Sequence, residues 1–204
     1  MKANISKLAL IVSITVVATI MMFNTVTAES PGNRSIKGVY VATGGATCFL
    51  AVCGFDNLVP INGVYDLMTS SIEAVYTFNH NGKGKISRIC PTVTHNGNPQ
   101  IPYPYAWNSE DSWEFTYEVK ADGSIALIQV PGSHNGVMTS GPRAGTPYKN
   151  EGRNRTGTIS PDHKTIVLNG GLPDIVTFDP PELGGCGVSQ MVCNSFETLI
   201  RQNK

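Results

Sequence analysis

The histidines come first as candidates for chemistry, because three of the four stand in the same local sequence. His80, His95 and His134 each begin a His-Asn-Gly triplet. Neutral imidazole is a common metal ligand, so loops that brought these triplets together could hold a metal ion. Asn-Gly alone is turn-forming, however, and no histidine has a second histidine or a carboxylate two or four residues away. We therefore predict turns at the triplets and no metal site.

Neither of the usual arrangements for hydrolysis is present in the sequence. A Gly-x-Ser-x-Gly elbow, which would expose a nucleophilic serine, does not occur. Glu114 and Glu118 would share one face of a strand at about 13 Å, which is too far for the carboxylate pair of a retaining glycosidase. We expect both carboxylates to be solvated, and we assign no catalytic residue and no cofactor. Whether the protein is an enzyme stays open.

The cysteines point to disulfides rather than to zinc. All five lie after residue 28: Cys48, Cys53, Cys90, Cys186 and Cys193. Their C-x4-C and C-x6-C spacings are poor for zinc, whereas an oxidising compartment favours bridges. The short spacings suggest Cys48–Cys53 and Cys186–Cys193, but a long bridge between the two pairs would stabilise more, and the sequence does not choose. We expect Cys90 to be the free thiol, buried on a strand.

The N-terminal residues have the features of a cleavable signal peptide. Lys2 and Lys7 precede the apolar run Leu8–Met22, and Val26-Thr27-Ala28 offers the small residues that signal peptidase requires. A membrane anchor is the alternative, because the run is about 15 residues long. The following segment is polar, which favours cleavage. We predict a signal peptide at 1–28, a single domain at 29–204, a secreted or periplasmic location and no stable membrane span after cleavage.

The charge balance argues against a nucleic-acid partner. Removing Lys2 and Lys7 from a chain with 15 basic and 15 acidic residues leaves a net charge of −2. The basic residues are scattered, so the chain lacks the positive patch that nucleic acids or anionic membranes attract. The most basic segment, Arg143–Arg155, is interrupted by Glu151, and we expect it to be a solvated loop. A small apolar ligand or another protein remains as the expected partner.

The strongest strand signal lies in Trp113–Val130. Apolar and polar side chains alternate from Trp113 to Lys120, Asp122-Gly123 follows as a tight turn, and a second strand returns. Similar hairpins are expected around Asn81-Gly82 and around Pro161–Lys164. Single strands at the two ends, Ser35–Thr43 closed by Gly44-Gly45 and Leu172–Phe178, bring the count to about eight.

About eight antiparallel strands without helices between them predict an all-β fold. We expect an up-and-down barrel, which leaves no open sheet edge, with a β-sandwich as the alternative. Residues 46–70 are expected to form a loop with one short strand or helical turn, and 91–111 and 131–152 to form long loops. Val192, Phe196 and Leu199-Ile200 fall at helical spacing. They predict a short C-terminal helix in a tail pinned by disulfides.

Five aromatic residues are the candidate ligand-binding residues, because they would point to the same side of the predicted hairpins. If the strands close into a barrel, these side chains either fill it as an ordinary core or line a space for one small apolar ligand. They are Tyr76, Phe78, Trp113, Phe115 and Tyr117.

Two features carry a resemblance to known proteins. Gly38-Val39-Tyr40 in the first strand is similar to the Gly-x-Trp of lipocalins, with Tyr40 at the tryptophan position. Residues 72–178 repeat an aromatic strand, an Asn- or Asp-centred turn and a return strand. The chain thus resembles the lipocalin-like and allene-oxide-cyclase-like small exported barrels. The resemblance implies a cavity-bearing barrel and no specific ligand.

The leading expectation is a non-catalytic binding or envelope-associated module. Its cavity, or its loops at 91–111 and 131–152, would contact a small apolar ligand or a protein. The first alternative is a cofactor-free isomerase or cyclase of the allene-oxide-cyclase-like kind, which would need Glu114, Glu118 or a histidine inside the barrel. The second alternative is a structural surface protein.

Overall fold

The computed structural model describes residues 32–51, 53–61, 63, 65–95, 106–170, 174–179 and 189–203. The predicted signal peptide at 1–28 and Cys186 lie outside these residues. One 3-10 turn, Asn33–Ile36, precedes thirteen strands. They are β1 (Gly38–Ala51), β2 (Phe55–Asp56), β3 (Val59–Pro60), β4 (Asp66–Phe78), β5 (Lys83–His95), β6 (Ala106–Val119), β7 (Ser124–Gln129), β8 (Asn135–Met138), β9 (Pro147–Glu151), β10 (Arg155–Ile159), β11 (Thr165–Asn169), β12 (Asp174–Asp179) and β13 (Ser189–Arg201).

The strands close into an antiparallel barrel with eight positions around the ring. β1, β4, β5, β6 and β13 are 13 or 14 residues long and each fills one position. Each of the other three positions is shared by two short strands. β7, β10 and β11 link β6 to β13 in one half of the barrel, and β8, β9 and β12 link the same two strands in the other. We call these the β7 half and the β8 half.

Pairing of β1 with β13 closes the ring, with twelve residues of β1 from Tyr40 to Ala51 opposite twelve residues of β13. The predicted up-and-down barrel is therefore confirmed and the sandwich is excluded. Residues alternate strictly between interior and exterior: in β5 every second residue from Gly84 to Thr94 is buried and its neighbours are exposed. Among the described residues, no helix is long and apolar enough to cross a bilayer.

The interior of the β7 half is a packed aromatic core. Phe78 lies within about 5 to 6 Å, centroid to centroid, of four other rings, Tyr40, Tyr76, Phe115 and Tyr117. Ile125 and Leu127 of β7 and Ile166 and Leu168 of β11 belong to the same cluster. The apolar cluster of the β8 half is much smaller, with four buried members: Cys48, Leu50, Met68 and Met191. The two halves are thus filled very differently.

The predicted C-terminal helix is wrong, because residues 189–201 form β13. Met191, Ser195, Glu197 and Leu199 are buried, while Phe196 and Ile200 are 60% and 57% exposed. The apolar residues at helical spacing are therefore divided between two faces of a strand. Ser195 and Glu197 are polar although they face the interior, so the hydrophobic pattern does not show the two-residue period of a strand.

The first strand and the predicted loops also need correction. β1 continues through Gly44-Gly45 to Ala51, because both glycines are paired with β13 and β4. Residues 46–70 contain the end of β1, the small β2–β3 hairpin and the start of β4 rather than one loop. The predicted loop at 91–111 holds the ends of β5 and β6, with 96–105 outside the described residues. The predicted loop at 131–152 holds β8 and β9.

Both predicted local disulfides are wrong. Cys48 of β1 is bonded to Cys193 of β13, and 145 residues separate them in sequence. The two are directly opposite in the ladder that closes the barrel, with their Cα atoms 4.1 Å apart. Cys53 is also disulfide-bonded. Cys90 is free and buried, as predicted.

Candidate functional site

The β8 half contains a cavity of about 60 Å³. Since one water molecule needs about 10 to 15 Å³ by the same measure, the cavity has room for several water-sized groups. Its apolar wall includes Leu50, Ile72, Trp107 and three methionines, Met68, Met138 and Met191. These three are all the methionines that follow residue 28. Methionine is flexible and polarizable, so this wall suits a small apolar molecule whose shape is not fixed in advance.

The charged residues among those that line the cavity are all arginines: Arg88, Arg153 and Arg155. They belong to a layer of buried ionisable residues at the junction of the two halves. We call this layer the polar layer, and it comprises Arg88, Asp111, His134, Arg153, Arg155 and Glu197, each at most 7% exposed. It separates the aromatic core from the cavity.

Two buried members of the polar layer lie in the segments between short strands. His134 lies between β7 and β8, and Arg153 lies between β9 and β10. Arg155 begins β10, and the long strands β5, β6 and β13 contribute the other three. The expectation of a solvated loop at Arg143–Arg155 is therefore wrong for Arg153 and Arg155, which are both 7% exposed.

Arg88 and Asp111 form the strongest contact of the polar layer. They are opposite each other on β5 and β6, and the guanidinium donates from Nε at 2.9 Å and from Nη2 at 2.5 Å to the two carboxylate oxygens. Tyr148 Oη donates to Oδ2 of the same carboxylate at 2.9 Å. Burial would raise the pKa of Asp111, but the charge of Arg88 and these hydrogen bonds outweigh burial and hold the pKa well below its usual range.

His134 is a neutral imidazole within this layer. Its Nδ1 accepts a hydrogen bond from the backbone N–H of Asn150 at 3.2 Å, which places the ring proton on Nε2. Nε2 lies 3.6 Å from Asp111 Oδ2, longer than a hydrogen bond. Burial lowers the pKa of His134 below 6.5, against the opposing effect of Asp111. The ring stacks on Trp113 at 5.8 Å between centroids.

Arg153 is held by neutral partners. Its guanidinium carbon lies 5.4 Å from the centre of the Trp113 ring, and its backbone N–H donates to Gln129 Oε1 at 2.8 Å. In the amide orientation that satisfies both groups, Asn150 Oδ1 accepts a hydrogen bond from Arg153 Nη2 at 2.7 Å. No carboxylate among the described residues lies within 4.0 Å of it. Burial and the nearby Arg88 lower its pKa to about 10, so the group stays charged at neutral pH.

Arg155 and Glu197 form the third part of the layer. Arg155 Nε lies 3.6 Å from Glu197 Oε1, and Tyr76 Oη donates to Glu197 Oε2 at 2.6 Å. Burial, with the charge of Glu197, raises the pKa of Tyr76 well above its usual value, so the phenol stays protonated. Ser195, two residues before Glu197 on β13, also lines the cavity. Its buried Oγ has no hydrogen-bond partner among the described residues.

The five predicted ligand-binding aromatics are all buried inside the barrel, each at most 5% exposed. None of them is among the residues that line the cavity. Tyr76, Phe78, Phe115 and Tyr117 pack against one another in the core of the β7 half. Trp113 lies at the junction and carries Arg88 on its ring, with the guanidinium carbon 5.0 Å from the centroid.

The other candidate residues divide between surface and interior. Glu114 and Glu118 are exposed, as predicted, and so are His80 and His95. His134 is buried and Asn135-Gly136 begins β8, so the turn predicted at this triplet is wrong. The turn predicted at 95–97 lies partly outside the described residues. Within the described residues, no group of three His, Cys, Asp or Glu side chains could hold a metal ion.

The polar layer was not predicted, although the alternation in the sequence contains a signal for part of it. Arg88 has the same parity as Ile86 on β5, and Asp111 the same parity as Trp113 on β6. Extending each alternation by one step would have placed both charged residues inside. Arg153 lies in a break between strands, where no period applies, so sequence alone carried no such signal for it.

No family model, curated protein or solved structure matches this chain. Its function must therefore be inferred from the cavity and the residues around it.

Proposed function

We propose that the protein is an exported, non-catalytic binding module that holds a small, mostly apolar molecule in the cavity of the β8 half. The observation that carries this proposal is the unequal filling of one barrel. Aromatic side chains fill the β7 half, whereas the β8 half keeps a cavity of about 60 Å³ lined by three methionines. Cavities of natural proteins are few and cost stability, so one that persists beside a well-packed core favours a ligand.

The proposed location is secreted or periplasmic. The disulfide Cys48–Cys193 supports it, because such bonds persist in oxidising compartments. The N-terminal signal predicted from the sequence agrees with it. Analysis of the N-terminus and of thiol content in protein recovered from an exporting host tests this part of the proposal.

Methyl NMR tests ligand binding directly. In protein labelled at the methionine methyl groups, a bound apolar molecule should shift the signals of Met68, Met138 and Met191, since all three line the cavity. Native mass spectrometry of freshly purified protein should show a co-purifying small molecule. Bare protein masses, combined with methyl signals that no alcohol or fatty acid of six to ten carbons moves, would contradict the proposal.

A filling substitution provides the matched variant. Ala46→Leu adds three carbons to a residue that lines the cavity, so it should weaken binding. Thr47→Leu adds apolar bulk at the next residue, which is exposed, and should leave binding unchanged. Equal binding by both variants would show that the ligand sits elsewhere.

A cofactor-free isomerase or cyclase is the second candidate, and buried His134 favours it. The imidazole lies beside Asp111 in the interior, as an acid–base group of such an enzyme would. Tyr148 lines the cavity and donates to Asp111, so its hydroxyl is the group through which a bound molecule would contact this buried pair. Tyr148→Phe removes that hydroxyl. Conversion of a co-purified ligand by the wild type and not by this variant would establish the second candidate over the first.

A further inference from the structure

We infer that the ligand of this cavity is an amphipathic monoanion, whose acid group pairs with Arg153 while its apolar part packs against the methionines. This inference rests on the proposed function and adds the charge of the ligand to it.

Among the described residues, one of the three arginines at the cavity wall has no carboxylate beside it. Asp111 holds Arg88 through two hydrogen bonds, and Glu197 lies beside Arg155. Asp66, the third buried carboxylate of the described residues, makes no ion pair with Arg153. Arg153 is then the cation at the cavity wall that has no carboxylate within 4.0 Å among the described residues. A ligand with one acid group would supply the carboxylate partner that Arg153 lacks among the described residues.

A buried cation of this kind is costly without a counter-charge. Charged groups inside proteins are normally paired, and their desolvation costs several kcal/mol when they are not. The ring of Trp113 and the Asn150 amide offset part of this cost, but neither carries a negative charge. The remaining cost is removed when an anion enters the cavity, so the apo barrel is set to favour anions over neutral molecules of the same shape.

Arg153 is also positioned in advance. Gln129 fixes its backbone, Asn150 fixes one nitrogen of the guanidinium, and Trp113 supports the plane. An arginine held in this way loses little conformational entropy when it binds a carboxylate. Ser195 Oγ, buried and without a partner in the described part of the chain, offers a second donor at the cavity wall.

The size and the wall of the cavity limit the rest of the ligand. A volume of about 60 Å³ corresponds to roughly four to six water-sized groups at 10 to 15 Å³ each. Leu50, Trp107 and the methionines offer apolar contact. The cavity is not fully enclosed, so a short aliphatic or aromatic acid can place part of its chain within these limits and the rest at the opening, and hexanoate is a suitable probe of the class.

Calorimetry and methionine-methyl NMR on the wild-type protein test the inference with three probes of equal length. Hexanoate, hexan-1-ol and hexylammonium share the same chain and differ in charge. A carboxylate paired with a guanidinium should bind about ten- to one-hundred-fold more tightly than the neutral alcohol, and the ammonium should bind least. If the alcohol binds as tightly as hexanoate, the inference is overturned and the proposed function stands. If none of the three binds, the proposed function fails with it.

Variants of Arg153 locate the effect. Arg153→Gln should remove the preference for hexanoate over hexan-1-ol, and Arg153→Lys should keep part of it. Lys149→Gln, which removes the same charge from an exposed position on β9, is the matched control and should leave the preference intact. A preference that survives Arg153→Gln would overturn the assignment to Arg153. If Arg153→Gln does not fold, the comparison of the three probes on the wild-type protein still tests whether the cavity prefers an anion.

Discussion

Asp111 is the residue on which the buried charges depend most. It accepts two hydrogen bonds from Arg88 and one from Tyr148, and it faces Nε2 of His134. Its side chain is completely buried. Loss of its charge would leave Arg88 as a second buried cation beside Arg153.

We predict that Asp111→Asn lowers the free energy of unfolding by about 3 to 5 kcal/mol, since removing one partner leaves the other charge buried and uncompensated. Urea denaturation measures the change. Glu114→Gln, at an exposed position on the same strand, is the control and should change stability by less than about 0.5 kcal/mol. A change below about 1 kcal/mol for Asp111→Asn would contradict the assigned role.

His134 makes stability depend on pH in a defined window. Its pKa in the folded protein lies below 6.5, because burial disfavours the imidazolium, whereas the unfolded chain protonates near 6.5. As pH falls below 6.5, the unfolded state takes up a proton that the folded state does not. The free energy of unfolding should therefore fall by up to about 1.4 kcal/mol per pH unit, until the folded pKa is reached.

Thermal denaturation between pH 8 and pH 5 measures this slope, and His134→Gln should reduce it. His80→Gln changes an exposed histidine in the same kind of triplet and should leave the slope as in the wild type. Asp111 does not contribute in this window, because its folded pKa lies below its ordinary value and its stabilisation is lost only near pH 4 and below. Equal slopes in all three proteins would contradict the prediction.

The core residues are easier to predict from the sequence than the site residues, for a physical reason. Aromatic residues at every second position predict a buried face here: Trp113, Phe115 and Tyr117 are 4%, 1% and 5% exposed. Arg88 occupies an equally buried position, but its type predicts solvent. Asp111, opposite Arg88 on the neighbouring strand, offsets the cost of burying the arginine. The sequence of either strand alone does not indicate that the two strands pair.

At the scale of elements, β1 shows why one strand was predicted too short. Gly44 faces inward at a point where the backbone of β13 passes close by. A Cβ atom built on Gly44 would lie 2.1 Å from the Phe196 carbonyl oxygen, whereas one on Gly45 would meet nothing closer than 3.4 Å. Glycine at 44 therefore permits close contact within the strand and does not end it.

We predict that Gly44→Ala destabilises the barrel by about 1 to 3 kcal/mol, as overpacking in an interior does, because β1 and β13 must move apart. Gly45→Ala, on the exposed side of the same strand, is the matched control and should change stability by less than about 0.5 kcal/mol. Chemical denaturation of the two variants gives the comparison. Equal effects would show that the ladder between β1 and β13 is more compliant than its geometry implies.

The hairpins were predicted well because their turns are local. Gly82 and Gly123 both have positive φ, at 75° and 80°, which Asn81-Gly82 and Asp122-Gly123 signal directly. No local pattern marks β13 as a strand, because its buried polar residues Ser195 and Glu197 face Arg155, Tyr76 and the cavity, which are distant in sequence. Short β8 and β9 were missed for a similar reason, since they lie among glycines and prolines and are held by pairing with β6 and β12.

At the scale of the molecule, the Cys48–Cys193 bond joins the first and last strands. A bridge across 145 residues restricts the unfolded chain strongly, and the chain-entropy relation gives about 5 kcal/mol of stabilisation. We predict that the double variant Cys48→Ala, Cys193→Ala loses several kcal/mol in urea denaturation. Cys90→Ala should lose less than about 1.5 kcal/mol, because it removes one sulfur atom beside an existing cavity. Similar losses in both would indicate that the bridge adds little beyond packing.

The class of the fold was accessible from sequence, whereas the division of its interior was not. The predicted count of about eight strands agrees with the eight positions of the ring, but β13, which closes the ring, was predicted as a helix, and the last predicted strand, Leu172–Phe178, overlaps β12. One half is packed and the other hollow because a different set of three short strands links β6 to β13 in each. Which strands form each set is decided by pairing between residues that are distant in sequence. The five aromatics predicted to bind a ligand therefore lie in the packed core, and the methionines on the other side of the polar layer line the cavity.

The pairing of β13 with its neighbours has a consequence for truncated chains. A polypeptide that lacks residues 189–201 leaves unpaired backbone groups along β1, β11 and β12, and these groups can pair with any other extended chain. In the intact barrel β13 covers all three edges at once. Loss of this one strand should therefore turn a closed barrel into an open sheet that aggregates through its edges.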